Sequence, residues 1–253
     1  MKGQFLTDKG LIRSHNEDSG GIYTNSSGQI LAVIADGMGG HQAGDVASQM
    51  ATALIQEKWL RCTELHTPDE TENWLTNTIG EINEAIYNHA MQNEACHGMG
   101  TTIVAAICIR DFITVGHIGD SRCYILNENG FKQITEDHSL VNALVQSGQI
   151  TKEDALNHPR KNVVLKALGT EKEMIADVQT LIMEQSNKIL LCTDGLTDKV
   201  LDEELCKLMQ TSSDIMQTGV KMIELANERG GEDNITLIIM QYDASQEVGG
   251  SPC

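Results

Sequence analysis

Residues 101–118 read TTIVAAICIRDFITVGHI, two apolar runs separated by the polar pair Arg110-Asp111. Runs of this length, rich in β-branched residues, predict two strands over 101–109 and 112–118 with a tight connection between them. Residues 123–126 and 131–134 form a second such pair around Asn127-Glu128-Asn129-Gly130, whose Asn-Gly dipeptide is a strong hairpin signal. The whole segment therefore predicts an antiparallel meander and not an alternation of strands and helices.

The strand and helix signals continue on both sides of this segment. Residues 29–35 form another apolar run, which ends at Asp36-Gly37 and is typical of a strand buried on both faces. Helical spacing predicts a helix over about 43–60, and Thr67, Pro68 and Glu70 mark the capped start of a second helix that ends near 94. Further on, the pattern predicts short helical pieces at 140–145 and after Thr151, strands at 177–183, 188–193 and 235–242, and helices at 201–209 and 212–228.

These elements predict an α+β fold. Two blocks of strands with helix pairs between them favour a four-layer α-β-β-α sandwich, in which two mainly antiparallel sheets pack face to face and helices cover both outer faces. The chain has 253 residues, only 3 prolines and no linker-like stretch, so we expect residues 1–243 to form one domain. The tail over 244–253 is expected to be disordered.

The composition excludes several classes of partner. A formal net charge of -18 argues against nucleic acid and against an anionic membrane surface, which both require Lys and Arg. The sequence has no signal-peptide pattern and no apolar run of about 20 residues. Its 7 cysteines are odd in number and include no C-x-x-C pair, so neither a zinc site nor a disulfide framework is expected. The cytoplasm is the expected compartment.

Four aspartates stand at the edges of predicted strands: Asp36, Asp120, Asp194 and Asp233. Each alone has a plain explanation, since aspartate is common in turns. If the strands share one core, however, their ends can converge, and clustered carboxylates repel one another unless cations or protons are present. Oxygen ligands favour Mg²⁺, Mn²⁺ or Ca²⁺. A glycine after the aspartate, as at Gly37, also lets a backbone carbonyl approach such a cation.

Arg13 is a candidate phosphate ligand. It lies in Arg13-Ser14-His15-Asn16-Glu17-Asp18, and its guanidinium group can hold a phosphate through two hydrogen bonds. The alternative is a surface ion pair with Glu17 or Asp18.

The acidic positions belong to a longer series of motifs. In order, these are Arg13-x-x-Asn16-Glu17-Asp18, Asp36-Gly37-Met38-Gly39-Gly40-His41, Gly98-x-Gly100-Thr101-Thr102, Gly116-x-x-Gly119-Asp120-Ser121-Arg122, Thr193-Asp194-Gly195-Leu196-x-Asp198 and Asp233-Asn234. Any one of them is weak, but six in register are specific. The chain resembles the bacterial form of the metal-dependent protein phosphatases of type 2C over about residues 1–242.

This resemblance implies a central β-sandwich flanked by helices and a dinuclear site for Mn²⁺ or Mg²⁺. Carried over by position, Asp36 bridges the two cations and Gly37 binds one of them through its carbonyl. Asp194 and Asp233 complete the first cation site.

The same resemblance assigns the remaining acidic residues. Glu17 and Asp18 hold waters on the second cation. Asp120, together with Asp194, serves a third and weaker cation, and Asp198 supports the cations from nearby or binds the third.

The resemblance also implies how substrate is held. Arg13 binds the substrate phosphate, and residues 139–170 form a mobile flap beside the site. Many eukaryotic relatives have a histidine directly after Asp-Gly as general acid, whereas this chain has Met38 there and His41 three residues later. His41 as general acid is one hypothesis; a solvent-exposed or structural histidine, with a water as the acid, is the alternative.

The predicted function is therefore a serine/threonine protein phosphatase that uses two divalent cations, with a third as an option, to activate the attacking water. The Cys-x₅-Arg and Asp-x-Asp patterns of other phosphatase classes are absent from the sequence. The expected partners are phosphorylated proteins and an opposing serine/threonine kinase, and a monomer is expected. Two rivals stay open: a silent member that only senses metal or phosphoprotein, and a hydrolase for small phosphate esters.

Overall fold

Two antiparallel sheets form the centre of the molecule. The computed structural model describes residues 1–39, 43–184 and 186–242. The first sheet has the order β1-β11-β10-β7-β8, and the second has β2-β3-β5-β6-β9 with β4 paired to β3. The strands are β1 Lys2–Asp8, β2 Asp18–Thr24, β3 Ile30–Met38, β4 Gly100–Thr101, β5 Ile103–Ile109, β6 Phe112–Ile118, β7 Arg122–Asn127, β8 Gly130–Gln133, β9 Asp177–Ile182, β10 Lys188–Cys192 and β11 Ile235–Gln241.

Helices cover the outer face of each sheet. The helices are α1 Ala43–Leu60, α2 Pro68–Gln92, α3 Leu140–Gln146, α4 Lys152–Leu156, α5 Asp194–Thr197, α6 Asp202–Thr211 and α7 Ile215–Glu228, with a 3-10 turn at Glu94–Cys96. The long helices α1 and α2 pack on the second sheet, and α7 packs on the first. The predicted four-layer α-β-β-α sandwich is confirmed.

Three apolar layers hold these four layers together. Alternate residues of β3 divide between two of them: Leu31 and Val33 pack toward α1 and α2, whereas Ala32 and Ile34 pack between the sheets. The third layer lies between the first sheet and helices α5 to α7. Because both faces of the central strands are buried, their sequences are continuous apolar runs, as predicted for 29–35.

Capping and turn signals in the sequence also agree with the structure. The side chain of Thr67 accepts the N–H of Glu70, and the Glu70 carboxylate accepts the N–H of Thr67, so the predicted capping box is present. Thr151 forms a second capping box with Asp154. In the β7–β8 hairpin Gly130 pairs with Asn127, and its φ of +116° explains the glycine in the predicted Asn-Gly signal.

One topological prediction was wrong. The four strands from β5 to β8 do not form one meander, because the β5–β6 hairpin lies in the second sheet and the β7–β8 hairpin lies in the first. The chain crosses between the sheets at Gly119-Asp120-Ser121, where Gly119 has a φ of +108°. Local strand and turn signals do not show such a crossing, since both hairpins look alike in sequence.

Three elements were not predicted: β1, β2 and the one-turn helix α5. Strand β2 contains Gly20 and Gly21, which weaken a strand signal. Gly20 is needed because a Cβ there would lie 2.6 Å from the carbonyl oxygen of Val33. The expected tail over 244–253 lies outside the described residues, and the single-domain boundary at 243 stays a prediction. No helix in the described ranges is long and apolar enough to span a bilayer.

We expect Thr67→Ala to lower the free energy of unfolding by about 1 kcal/mol, because the N-cap of the longest helix loses its side-chain acceptor. Urea denaturation measured by circular dichroism tests this. Asn77→Ala, at an exposed position within the same helix, is the matched control and should be neutral or slightly stabilising, since alanine is the better helix former. Equal midpoints for Thr67→Ala and the parent would contradict the assigned cap.

Candidate metal centre

The ends of strands from both sheets bring the predicted acidic residues to one rim. Asp36 lies on β3 directly opposite Asp18 on β2. Asp194 follows β10 as the first residue of α5, and Asp233 precedes β11. Because β10 and β11 are antiparallel neighbours, the end of one and the start of the other lie side by side.

The carboxylates are close enough to affect one another. Burial raises the pKa of Asp36 well above its ordinary value, and repulsion from Asp18, Asp194, Asp120 and Asp233 raises it further. The pKa of Asp194 is likewise raised well above its ordinary range, first by burial and then by Asp120 and Asp233. The structure therefore brings these five aspartates into one electrostatic cluster.

Two further pKa values show how poorly water compensates this cluster. Burial raises the pKa of Asp18 to about 7, although Thr236 and Thr193 donate hydrogen bonds that act in the opposite direction. The pKa of Asp120 rises to about 6, again mainly through burial. Near neutral pH these carboxylates thus need more positive charge than the nearby Arg13 and Arg122 supply.

Unsatisfied oxygen atoms point to the same need. Asp18 Oδ1 and Asp194 Oδ1 are buried and have no hydrogen-bond partner among the described residues. Buried acceptors without a partner are costly and uncommon. A set of carboxylate oxygens with two such atoms fits hard divalent cations such as Mn²⁺ and Mg²⁺.

Hydroxyl groups from two of the sequence motifs fix the backbone of Asp36. The N–H of Asp36 donates to Thr102 Oγ1 at 3.0 Å, and its carbonyl accepts from the N–H of Thr102 and from Thr101 Oγ1, both at 2.8 Å. Thr102 Oγ1 also bonds Ser121 Oγ at 2.7 Å. The Gly-Thr-Thr and Gly-Asp-Ser motifs therefore act together to position Asp36.

Close backbone packing explains the Asp36-Gly37 pair. A Cβ at Gly37 would lie 2.1 Å from the carbonyl oxygen of Gly44, at the start of α1. The N–H of Gly37 donates to the carbonyl of Glu17 at 3.1 Å, and Ser48 Oγ donates to the same carbonyl at 2.6 Å. Gly37 is thus required for contact between β3, α1 and the Glu17 loop, whatever its carbonyl binds.

Asn234 plays a comparable part for the N-terminal loop. Its Oδ1 accepts the N–H of Glu17 at 2.8 Å, and its Nδ2 donates to the carbonyls of Lys9 and His15. The backbone of Asn234 also leaves no room for a side chain at Gly195, where a Cβ would lie 1.9 Å from its carbonyl oxygen. In the Asp233-Asn234 motif, Asp233 therefore belongs to the aspartate cluster, and Asn234 holds the loop that bears Glu17.

Arg13 does not pair as the sequence alternative suggested. Its Nη2 donates to Asp233 Oδ2 at 2.8 Å, whereas ion pairs with Glu17 or Asp18 were considered from the sequence. The charges of Glu17 and Asp36 also raise the pKa of Arg13. With 47% of its side chain exposed, Arg13 lies at the open side of the cluster.

A cavity of about 370 Å³ extends from the cluster toward residues 139–170, here called the flap. Asp120, Asp194 and Asp198 line one side of it, and Leu156 and Lys161 of the flap line another. Lys161 Nζ bonds Asp198 Oδ2 at 2.6 Å. Beneath the cavity, the half-buried guanidinium of Arg122 binds both carboxylate oxygens of Asp137.

One feature near the site was not predicted from the sequence, and one predicted residue lies outside the described part of the chain. His117, His138 and Asp177 form a compact group whose ligand atoms lie within 4.8 Å of one another, at the base of the flap. No pattern in the sequence predicts this group, because its members come from distant segments without a shared motif. His41 lies outside the described residues, so its role as general acid stays a prediction.

Comparisons with known proteins identify the family. A model of the protein phosphatase 2C family matches residues 13–236. The chain is 44% identical over 247 residues to the serine/threonine phosphatase stp of Listeria monocytogenes, with 98% of each chain covered. The structure of Stp1 from Staphylococcus aureus superposes with a TM-score of 0.92 at 39% identity, covering 96% of this chain and 95% of that one.

A further solved structure concerns the metal. The catalytic domain of the serine/threonine phosphatase PstP in complex with 2 manganese ions is 32% identical, with a TM-score of 0.82 and coverage of 96% of this chain and 98% of that one. The predicted enzyme class, a metal-dependent phosphoprotein phosphatase, is confirmed by these matches: the chain belongs to the protein phosphatase 2C family.

Proposed function

We propose that this protein hydrolyses phosphoserine and phosphothreonine in phosphorylated proteins, using two divalent cations held by its aspartate cluster. The observation that carries the proposal is the group of buried carboxylates with raised pKa values and unpartnered oxygens, Asp18 and Asp194 foremost. A protein that did not bind cations would gain nothing from burying these charges together.

The position of the assigned residues at one rim of the sandwich supports this proposal. Asp36 would be shared by the two cations and the Gly37 carbonyl would bind one of them, Asp194 and Asp233 would help to hold the first, and Glu17 and Asp18 would hold waters on the second. When bound, Mn²⁺ or Mg²⁺ lowers the pKa of a water and neutralises phosphate charge. The other proposed ligands are Asp120 and Asp198.

The chain's own groups would then orient the substrate. Arg13 lies at the open side, where its second guanidinium edge can bind a phosphate while Nη2 keeps Asp233 in place. The cavity under the flap gives room for the residues that flank the phosphorylated side chain. His41 remains the hypothetical proton donor to the leaving oxygen, with water as the alternative.

The rival functions make different demands on the sequence. A silent member would have lost cluster aspartates, whereas all of those predicted are present. A hydrolase for small phosphate esters would use the same cluster, so peptide and small-molecule turnover must be compared. We also propose a serine/threonine kinase as the opposing enzyme and a monomeric state; the cytoplasmic location stays a prediction.

The first test is phosphate release from a phosphothreonine peptide. We expect turnover with Mn²⁺, none with EDTA, and a loss of more than ~100-fold for Asp36→Asn, because even the outer partners of metal ligands cost about 10- to 100-fold when removed. Asp69→Asn, an exposed aspartate in the first turn of α2, is the matched control and should keep full activity. Metal-independent turnover by the parent, or an active Asp36→Asn enzyme, would exclude this mechanism.

The second test concerns stability and pH. A carboxyl whose pKa is raised in the folded state stabilises below its unfolded pKa and loses that contribution as pH rises through the folded pKa. This loss of stability runs from about pH 4 to about pH 7 for Asp18, and from about pH 4 to about pH 6 for Asp120. The pKa of His138 is lowered, so this one group makes stability rise with pH and opposes the two carboxyls.

In EDTA we therefore expect Tm to fall between about pH 4 and about pH 7, by about 2–4 °C for each kcal/mol lost. Saturating Mn²⁺ should abolish the fall, and Asp194→Asn should reduce it without metal. Differential scanning calorimetry measures all three. A Tm that rises over this pH range in EDTA would refute the assigned charge cluster.

The third test addresses Arg13. A charged hydrogen bond contributes about 1.5–3 kcal/mol, so Arg13→Ala should lower kcat/KM for the phosphopeptide by about 10- to 150-fold. Arg13→Lys should recover only part, since a lysine cannot bind phosphate through a planar fork. The control is Arg61→Ala, which removes an exposed ion pair with Glu57 on α1. Steady-state kinetics in which Arg13→Ala matches Arg61→Ala would rule out the phosphate role.

A further inference from the structure

His138 holds the turn before Asp120 through both its ring and its main chain. The N–H of His138 donates to the carbonyl of Gly119 at 3.0 Å, and the N–H of Gly119 donates to Nδ1 of His138 at 3.1 Å. Gly119 has a φ of +108°, and a Cβ there would lie 2.5 Å from Thr102 Cγ2. One residue therefore fixes both peptide groups that flank the Cα of Gly119.

The second of these peptide groups leads directly to a proposed cation ligand. It carries the N–H of Asp120, which bonds the carboxylate of the same residue. Asp120 is only 8% exposed, and it lines the cavity with Asp194 and Asp198. The direction of the Asp120 carboxylate thus depends on the turn that His138 holds.

The contacts of the His138 ring define where its proton lies. Because the N–H of Gly119 needs a lone pair on Nδ1, the neutral ring carries its proton on Nε2, which is 3.2 Å from Asp177 Oδ2. Burial lowers the pKa of His138 and so favours the neutral ring. The ring also stacks on His117 at 4.8 Å, and His117 Nε2 donates to the Glu136 carbonyl at 2.9 Å.

A cation bound by His117, His138 and Asp177 would disrupt this arrangement. A histidine ligand must offer the metal a lone pair. On His138, however, the lone pair of Nδ1 already accepts the N–H of Gly119, and Nε2 carries the proton donated to Asp177. These three residues are therefore better suited to binding the protein's own backbone than to binding another metal ion.

The same residue meets both ends of the flap. The carbonyl of His138 accepts the N–H of Leu165 at 2.7 Å, and two residues further the N–H of Leu140 donates to the carbonyl of Val163 at 2.8 Å. We propose that His138 is a positioning residue, which joins the base of the flap to the Gly119 turn and thereby sets the cation affinity of the site that uses Asp120. This inference rests on the proposed function, because Asp120 is assigned to a cation there.

Isosteric variants separate the two ring contacts. In His138→Asn the side-chain oxygen can take the place of Nδ1 and accept the N–H of Gly119, while the contact with Asp177 is lost. In His138→Gln the side-chain amide can reach Asp177, while no acceptor remains beside Gly119. Asp177→Ala removes the Asp177 contact alone and is the matched control.

Mn²⁺ binding to the intact protein, measured by isothermal titration calorimetry without substrate, is the main readout. We expect His138→Gln to weaken the weaker class of sites by about tenfold or more, the range found for outer partners of metal ligands. His138→Asn and Asp177→Ala should stay within about twofold of the parent. Hydrogen exchange followed by mass spectrometry should show faster exchange at residues 117–122 only in His138→Gln.

Two outcomes would overturn the inference. His138→Gln could bind Mn²⁺ as the parent does, or His138→Asn could lose affinity together with His138→Gln. A parent that binds Mn²⁺ but does not turn over phosphopeptide would overturn the proposed function alone, because neither readout here requires catalysis. A single cooperative melting transition in all three variants, measured in EDTA, shows that the comparison concerns the turn and not the whole fold.

Discussion

Mutual repulsion among buried carboxylates governs the rest of this structure. Asp18 and Asp36 lie on neighbouring strands of the second sheet, while Asp194 follows a strand of the first. Burial raises the pKa of all three, Asp18 and Asp194 raise the pKa of Asp36 further, and Asp18 also raises that of Asp194. Protons or cations must offset this repulsion near neutral pH, so under the proposed function the free energy of metal binding adds to the folding free energy.

The layer between the sheets determines whether that site keeps its shape. Ile34 and Val104 of one sheet pack against Leu191 and Ile238 of the other. A slide of one sheet past the other would separate the carboxylates that the two sheets contribute. Because a close-packed core resists such slides, the apolar centre acts on the chemistry without touching it. The hydroxyls of the threonine and serine motifs then fix the rim locally.

Sequence reasoning succeeded where a local pattern dictates the structure. The apolar run before Asp36 predicted a doubly buried strand, which continues two residues past Asp36, and Thr67 with Glu70 predicted a helix start to the residue. It failed where the structure depends on long-range contacts. The sheet change at Gly119 and the choice of Asp233 as partner of Arg13 depend on contacts between segments far apart in sequence.

The same distinction applies to the roles of the site residues. Spacing alone could select aspartates at strand ends, but only the ordered motifs assigned Glu17 and Asp18 to cations. The residues that support the site, Asn234 and His138, act through backbone atoms of other segments, and such bonds leave no periodic trace. A motif histidine and a structural histidine look identical in sequence until the hydrogen-bond partner of each ring nitrogen is known.

The proposed ligands also differ in how firmly the fold holds them, which bears on how tightly each would bind a cation. Asp36 and Asp18 are part of paired strands, so their backbone cannot move without breaking a sheet. Asp120 lies on the turn between the two sheets, and the exposed Asp198 ends a one-turn helix and bonds the flap residue Lys161. Preorganised ligands lose less entropy on binding. The rigid positions are therefore those expected to retain cations most tightly, whereas the positions attached to the flap are those where cation binding and movement of the flap can affect each other.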